Sequence, residues 1–313
     1  MPATPPSAPD PFDPPSPPPT STLLVPVPAK VSATYVVAAP EHTLPDPAGE
    51  IASALADVPF PEGREPFTIT VTEATQDDPT LAWACEILCC PDCSPGAEHL
   101  LGTLLSKPRQ RHLVVTATTA PGWPPSHLYA AAKAVHALAE ATGGIPLDAE
   151  APRLLPSRWR PTPPAGPEAF ASAEWIWIGV SPDRGGSALL TTGLTRLGLP
   201  ELRAEAVPPT HVAAWTRLFK ALAQVLTRRL FTGLAATPPG PATLVVPTEL
   251  VVMAADAAAA EGILPPRDPR AVTVRLGYGP PSPRVPVTHL TVTAHEREPV
   301  TWAAEEGPPL PDG

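Results

Sequence analysis

Proline decides where this chain can hold regular structure. Of its 313 residues 51 are proline, about three times the usual share. Each one removes a backbone donor and fixes φ, so it fits poorly in a helix interior or a central strand. Regular elements must therefore lie between proline clusters. Residues 1–29 hold twelve prolines, which predicts a disordered, partly polyproline-II tail. A second cluster falls in 154–170 and reads as a linker; a third break runs from Pro238 to Pro241. The ordered parts expected between them are an α/β region at 30–153 and a second α+β region at 171–306, which can belong to the same domain. Residues 307–313 read as a loose C-terminus.

Strand and helix signals alternate inside these regions. Val31 to Ala39 is rich in β-formers, and Ala48 to Val58 is a short helix candidate. Phe67 to Thr72 alternates apolar with hydroxyl residues, the period of a half-buried strand. Asp78-Pro79 offers an N-cap and a first-turn proline for a helix through Leu88, and a second short helix is expected from Ser94-Pro95 to Leu105. His112 to Thr118 reads as a strand. Ser126 is placed to cap a helix to Thr142, Gly143-Gly144 to stop it, and Ile145 to Asp148 to return as a strand.

In the second region Glu174 to Val180 and Ala188 to Thr192 form a hairpin pattern around Pro182–Gly186, and Pro200 to Ala204 adds a strand. Pro208 to Phe231 is a long amphipathic helix, with Trp215, Leu218, Phe219 and Leu222 on its apolar side. Three β-like runs, 243–247, 271–276 and 285–293, close the chain, while the alanine-rich 249–261 suits helix or loop. The fold class expected is α+β, with mixed or antiparallel sheet regions packed by amphipathic helices.

Charge narrows the partners. The formal net charge is −10, with only 21 basic residues. That argues against nucleic acid, whose phosphates need clustered Lys and Arg, and suits a basic protein partner. No apolar run reaches the roughly 18 residues of a membrane span. The opening Met-Pro-Ala-Thr-Pro-Pro-Ser lacks the basic start and apolar stretch of a signal peptide. The expectation is a cytoplasmic protein with reduced cysteines and no membrane association.

Three groups of residues are candidates for chemistry. The four cysteines, Cys85, Cys89, Cys90 and Cys93, lie within nine positions. Four thiolates can hold zinc or an iron–sulfur cluster, although structural zinc sites usually draw two pairs from separate turns. Cys85 and Cys89 are one helical turn apart, and Cys85 shares the stripe of Leu81, Ala84 and Leu88, so packing is the competing reading. Cys90-Pro-Asp-Cys93 has redox spacing but follows a helix rather than a strand; a cap at Ser94 would lower the Cys93 pKa.

The second group is Trp123, His127 and Tyr129. The loop Gly122-Trp123-Pro124-Pro125 ends a strand and opens a helix, a common ligand position in α/β proteins. Here His127 would face a ligand, with Trp123 as a wall. The third group is the polar stripe Tyr129, Lys133, His136 and Glu140, which reads as a solvated helix face or an acid–base set. Trp175 and Trp177 alternate with isoleucines and would share one sheet face. No nucleophile elbow, phosphate loop, zinc-protease helix or dinucleotide fingerprint occurs, so no catalytic residue is assigned.

Several short segments carry a resemblance. They are Arg111 to Thr116, Pro124 to His127, Ala137 to Gly144, Trp175 to Gly179, Leu190 to Leu194 and Leu197 to Glu201. Together they resemble an uncharacterised bacterial domain family, mainly actinobacterial, over about residues 110–205, and more weakly over Val31 to Cys90. The resemblance implies an α+β sheet core and brings no reaction, substrate or site. The function expected is a non-catalytic binding or interaction protein, adaptor- or immunity-like, with a protein partner and no cofactor. The alternatives are a metal- or thiol-dependent enzyme using the cysteines and a small-ligand sensor at the His127 loop.

Overall fold

The alternating apolar and hydroxyl residues around 70 and 115 lie side by side, as a period of two requires of neighbouring strands. In the computed structural model of the protein, residues 21–41, 43–56, 67–75, 77–90, 97–107, 110–236, 240, 242–265, 270–281 and 288–294 are described. The first half runs β1 (Thr22–Pro26), β2 (Val31–Ala38), α1 (Pro47–Leu55), β3 (Thr68–Ala74), α2 (Pro79–Cys89), α3 (Ala97–Leu105), β4 (His112–Thr119), α4 (Ser126–Thr142), β5 (Ile145–Asp148) and β6 (Arg153–Leu154). The second half runs β7 (Trp177–Asp183), β8 (Gly186–Thr192), β9 (Glu201–Val207), α5 (Val212–Ala236), β10 (Thr243–Pro247), β11 (Glu249–Met253), α6 (Ala254–Ala260), β12 (Ala271–Gly279) and β13 (His289–Ala294).

The class is α+β. One sheet has the order β3-β4-β2-β5-β6, antiparallel throughout. The other has the order β11-β12-β13-β9-β8-β7, antiparallel except where β13 runs parallel to β9. A two-stranded ribbon joins β1 to β10, with Leu24 opposite Val245. Thus residues 22–26, placed by their prolines in the disordered tail, form a strand instead. Pro26 is the last residue of β1 and Pro28 lies beyond it, so neither interrupts the ladder interior. The rest of the expected tail, residues 1–20, and the C-terminal 307–313 lie outside the described residues.

Local chemistry explains other boundaries. Ser126, expected as a cap, is the first residue of α4, and its hydroxyl donates to the Pro124 carbonyl at 3.3 Å. Gly143 ends that helix at φ +70°, a conformation that costs glycine little. Pro208 and Pro209 open a 3-10 turn that leads into α5 at Val212. The alanine-rich stretch splits into β11 and α6, where the Asp256 carboxylate accepts from the Met253 N–H at 2.9 Å. Of the expected strand 285–293, residues 289–293 belong to β13 and 285–287 lie outside the described residues.

The two faces of the first sheet feed two cores. Val36, Ala38, Val114 and Leu147 meet Leu81, Leu88, Leu101 and Leu105 of α2 and α3. On the other face Ala33, Tyr35, Val37, Val115 and Ala117 pack with Leu128, Val135 and Leu138 of α4. This second core continues without interruption into α5 and the inner face of the second sheet, through Leu218, Phe219, Leu222 and Leu226, then Leu202, Val252, Val274 and Leu290. Each such leucine or phenylalanine contributes roughly 1.5–3 kcal/mol when buried. A single apolar cluster therefore draws on both halves.

The proline-rich stretch 154–170 lies against that cluster. Trp159 sits 5.6 Å from the Trp175 ring, and Phe170 is buried. Gln224 of α5 stitches the segment down, accepting from the Ser172 N–H at 3.0 Å and donating to the Phe170 carbonyl at 2.7 Å. Gln224→Leu strands both backbone groups without opening a void. It is expected to lower the unfolding free energy by about 2–4 kcal/mol in urea titration.

Candidate functional site

At the seam between the halves the chain buries an arginine. Arg196 lies in the 3-10 turn Thr195–Leu197, between β8 and β9. A carboxylate builds that turn. Glu201 accepts from the backbone N–H groups of Gly193 (3.0 Å), Leu194 (3.3 Å) and Thr195 (3.1 Å), and from the hydroxyls of Thr191 (2.7 Å) and Thr195 (3.2 Å). Gly193 is required here: its φ is +99°, and an added Cβ would stand 2.4 Å from the Trp175 carbonyl oxygen. Burial pushes the Glu201 carboxyl above its ordinary range, and these donors oppose that rise.

The turn aims Arg196 across the seam. Nη1 and Nη2 donate to the two Asp148 carboxylate oxygens at 3.0 and 2.9 Å, the bidentate geometry that guanidinium favours. Nη1 also donates to the Tyr35 hydroxyl at 3.3 Å, and Nε stands 3.1 Å from Glu150 Oε2. Asp148 closes the β5–β6 turn as well, accepting from the N–H groups of Glu150 (3.0 Å) and Ala151 (2.9 Å). Glu150 Oε1 accepts from the Thr34 N–H at 2.9 Å. One side chain from the second half thus ties together β2 and the end of β5.

Burial alone would pull the Arg196 pKa down, but Asp148 and then Glu150 outweigh it and hold the guanidinium charged. The Tyr35 hydroxyl is raised, by burial first and by Asp148 second. Burial likewise pushes Glu150 up to about 7, against the pull of Arg196. Glu150 nonetheless keeps 26% of its side chain exposed, because it lines a cavity.

That cavity, of about 470 Å³, opens over the network. Glu150 and Arg196 both border it, the Arg196 side chain with no exposed surface. Val25, Pro26, Pro28, Val31, Leu199 and Pro200 supply apolar walls, and Lys30, Ser32, Thr195, Tyr278 and Thr288 add polar groups. An apolar hollow with a few fixed polar groups is the usual form of a binding site.

The residues singled out from sequence lie elsewhere. His127 is buried in the first turn of α4, and its Nε2 bonds the Arg196 carbonyl at 2.8 Å. A carbonyl only accepts, so Nε2 carries the proton and Nδ1 is left bare, without a partner. Burial is the main reason its pKa falls to about 4. Trp123 packs its ring 5.2 Å from Phe231 and 6.3 Å from Phe170; Tyr129 is buried 5.3 Å from Trp175. The three share one core and do not line the cavity; His127 reaches its edge only through the backbone of Arg196.

The polar stripe of α4 is not uniformly solvated. Tyr129 and His136 are buried, Lys133 is half-buried and Glu140 is exposed. His136 lies 6.1 Å from Trp159, and burial pulls its pKa to about 4. Trp175 and Trp177 do not form a shared platform. Trp175 precedes β7 and enters the core, while Trp177 packs 6.2 Å from Trp83 of α2. Cys85, Cys89 and Cys90 are half-buried on and just beyond α2, and Cys93 lies outside the described residues. Burial, then Cys89, raises the Cys85 thiol. Among the described residues no three His, Cys, Asp or Glu side chains converge as a metal-binding group.

No motif spacing points to Tyr35, Asp148, Glu150, Arg196 or Glu201. One signal is present: a lone arginine inside Leu194-Thr-Arg-Leu-Gly-Leu199. A charge in such a run must find a buried counter-ion.

Set against family models, curated proteins and solved structures, this chain matches none. Among the described residues no helix is long and apolar enough to cross a membrane.

Proposed function

We propose that the protein is a non-catalytic, cytoplasmic binding protein whose working surface is the seam, and whose partner there is a protein presenting a basic, aliphatic segment. The observation that carries this reading is the surface beside the cavity. Leu24 and Val245 oppose one another on the outer face of the β1–β10 ribbon, 62% and 55% exposed, while Val25, Leu244 and Val246 face the core. Tyr278, 43% exposed, donates its hydroxyl to the Leu24 carbonyl at 2.5 Å and also lines the cavity. An apolar patch with an aromatic residue at the rim of a rigid hollow has the composition of an interface centre. The net charge of −10 favours a basic partner. The resemblance to an uncharacterised actinobacterial family belongs to the same proposal.

The test replaces Leu24 and Val245 together with lysine. The wild-type protein is expected to retain a stoichiometric basic partner that rebinds as a purified one-to-one complex. The double variant, folded by circular dichroism, is expected to lose it. Equal binding by both proteins would remove the ribbon from the interface.

A further inference from the structure

We propose that the seam cavity binds a small primary amine, an alkylammonium head on an apolar body, with Glu150 as the acceptor of its charge. The site is distinct from the exposed ribbon face and stands whether or not a protein covers that face.

The polar lining decides the class of ligand. Asp148 consumes both terminal nitrogens of Arg196 and fixes the guanidinium in place. The Thr195 N–H is taken by Glu201. Glu150 Oε1 is occupied by the Thr34 N–H. Glu150 Oε2 is different: Arg196 Nε lies 3.1 Å away, yet its N–H is not aligned on any acceptor. The pair is held by charge, and the Thr34 side chain also hydrogen-bonds the Glu150 carboxylate. An ionised carboxylate has about four acceptor positions, so beyond the two Thr34 bonds the Glu150 carboxylate, 26% exposed on the cavity lining, keeps acceptor capacity beside apolar walls.

The charge count agrees. Two carboxylates, Asp148 and Glu150, share one buried guanidinium, and its fork faces Asp148. Arg153 comes only to 3.8 Å of Asp148, and one of its nitrogens also donates to the Glu174 carbonyl. The neutral Tyr35 hydroxyl adds no charge. Glu150 is therefore the under-compensated member, and an entering ammonium supplies what it lacks. Lys30, also on the lining, is exposed; solvent screens its charge.

The test uses the full chain with 3-methylbutylamine as probe, 3-methylbutanol as its uncharged match and 3-methylbutanoate as its anionic match. At pH 8 a saturating concentration of the amine is expected to raise Tm by about 3 °C or more, with the alcohol and the acid leaving it unchanged. Glu150→Gln keeps an acceptor for Thr34 but removes the charge, and is expected to weaken calorimetric binding of the amine by about tenfold or more. Lys30→Ala is expected to leave amine affinity equal or higher. Should Glu150→Gln fold poorly, the wild type still decides: amine affinity falls by about tenfold per pH unit as Glu150 protonates below neutrality, while the amine stays charged. A pH-independent affinity, an alcohol that binds as well as the amine, or loss of binding in Lys30→Ala overturns the proposal. So does a lysine-containing peptide that binds where the free amine does not.

Discussion

Arg196→Ala is expected to lower the unfolding free energy by about 3–5 kcal/mol, the usual cost of leaving a buried charge without its partner. The Asp148 carboxylate it abandons has no exposed side-chain surface, so water cannot replace the guanidinium. Urea unfolding followed by tryptophan fluorescence reads the loss, because the Trp159 ring packs tilted against the buried Trp175 at 5.6 Å. The control is the pair Arg196→Met with Asp148→Asn, which removes both charges together. It is expected to recover much of the loss, and a double-mutant cycle should return a coupling well above the roughly 0.5 kcal/mol scatter of independent sites. A cost below about 1 kcal/mol for Arg196→Ala would mean that the apolar cluster alone joins the halves.

Mild acid is expected to destabilise the protein through His127. In the native state its pKa is about 4, whereas in the unfolded chain it returns to about 6.5. Between these values the unfolded state binds a proton that the native state refuses, so this contribution is complete above pH 6.5 and is lost as pH falls toward 4. For one fully buried histidine the loss approaches about 3 kcal/mol. His136 acts in the same direction. Glu150 acts in the opposite one: its carboxyl is raised to about 7, so the native state takes up its proton first and gains stability as pH falls from about 7 toward the ordinary carboxylate range. The His127 share is isolated by His127→Gln, whose amide can still donate to the Arg196 carbonyl. The slope of unfolding free energy against pH between 6.5 and 4 is expected to be shallower in the variant; an unchanged slope would place the acid sensitivity elsewhere.

The elements with strong period or punctuation were legible from the residues alone. The alternation in 67–72, the β-rich run 112–118 and the glycine stop at Gly143 needed no tertiary information. The short strand Thr22–Pro26 was not legible, because its pairing partner lies at Thr243–Pro247 and its flanks are rich in proline. The candidate site was hidden for a related reason. Its carboxylates sit at a strand end and in a turn, its arginine 48 positions downstream of Asp148, and nothing local marks them as neighbours. His127 stands at a helix start, a place that suits a ligand, but its ring holds the Arg196 carbonyl.

The parallel pairing of β13 with β9 has a consequence for how the chain is made. On the ribosome β7, β8 and β9 can zip up as a meander, yet the free side of β9 then waits for His289–Thr291 to emerge. Until that moment it is an open row of backbone donors and acceptors, the kind of edge that recruits strands from other molecules. Nascent chains halted before β13 should therefore be prone to aggregate, and β13 serves the cell as the seal on an edge laid down much earlier.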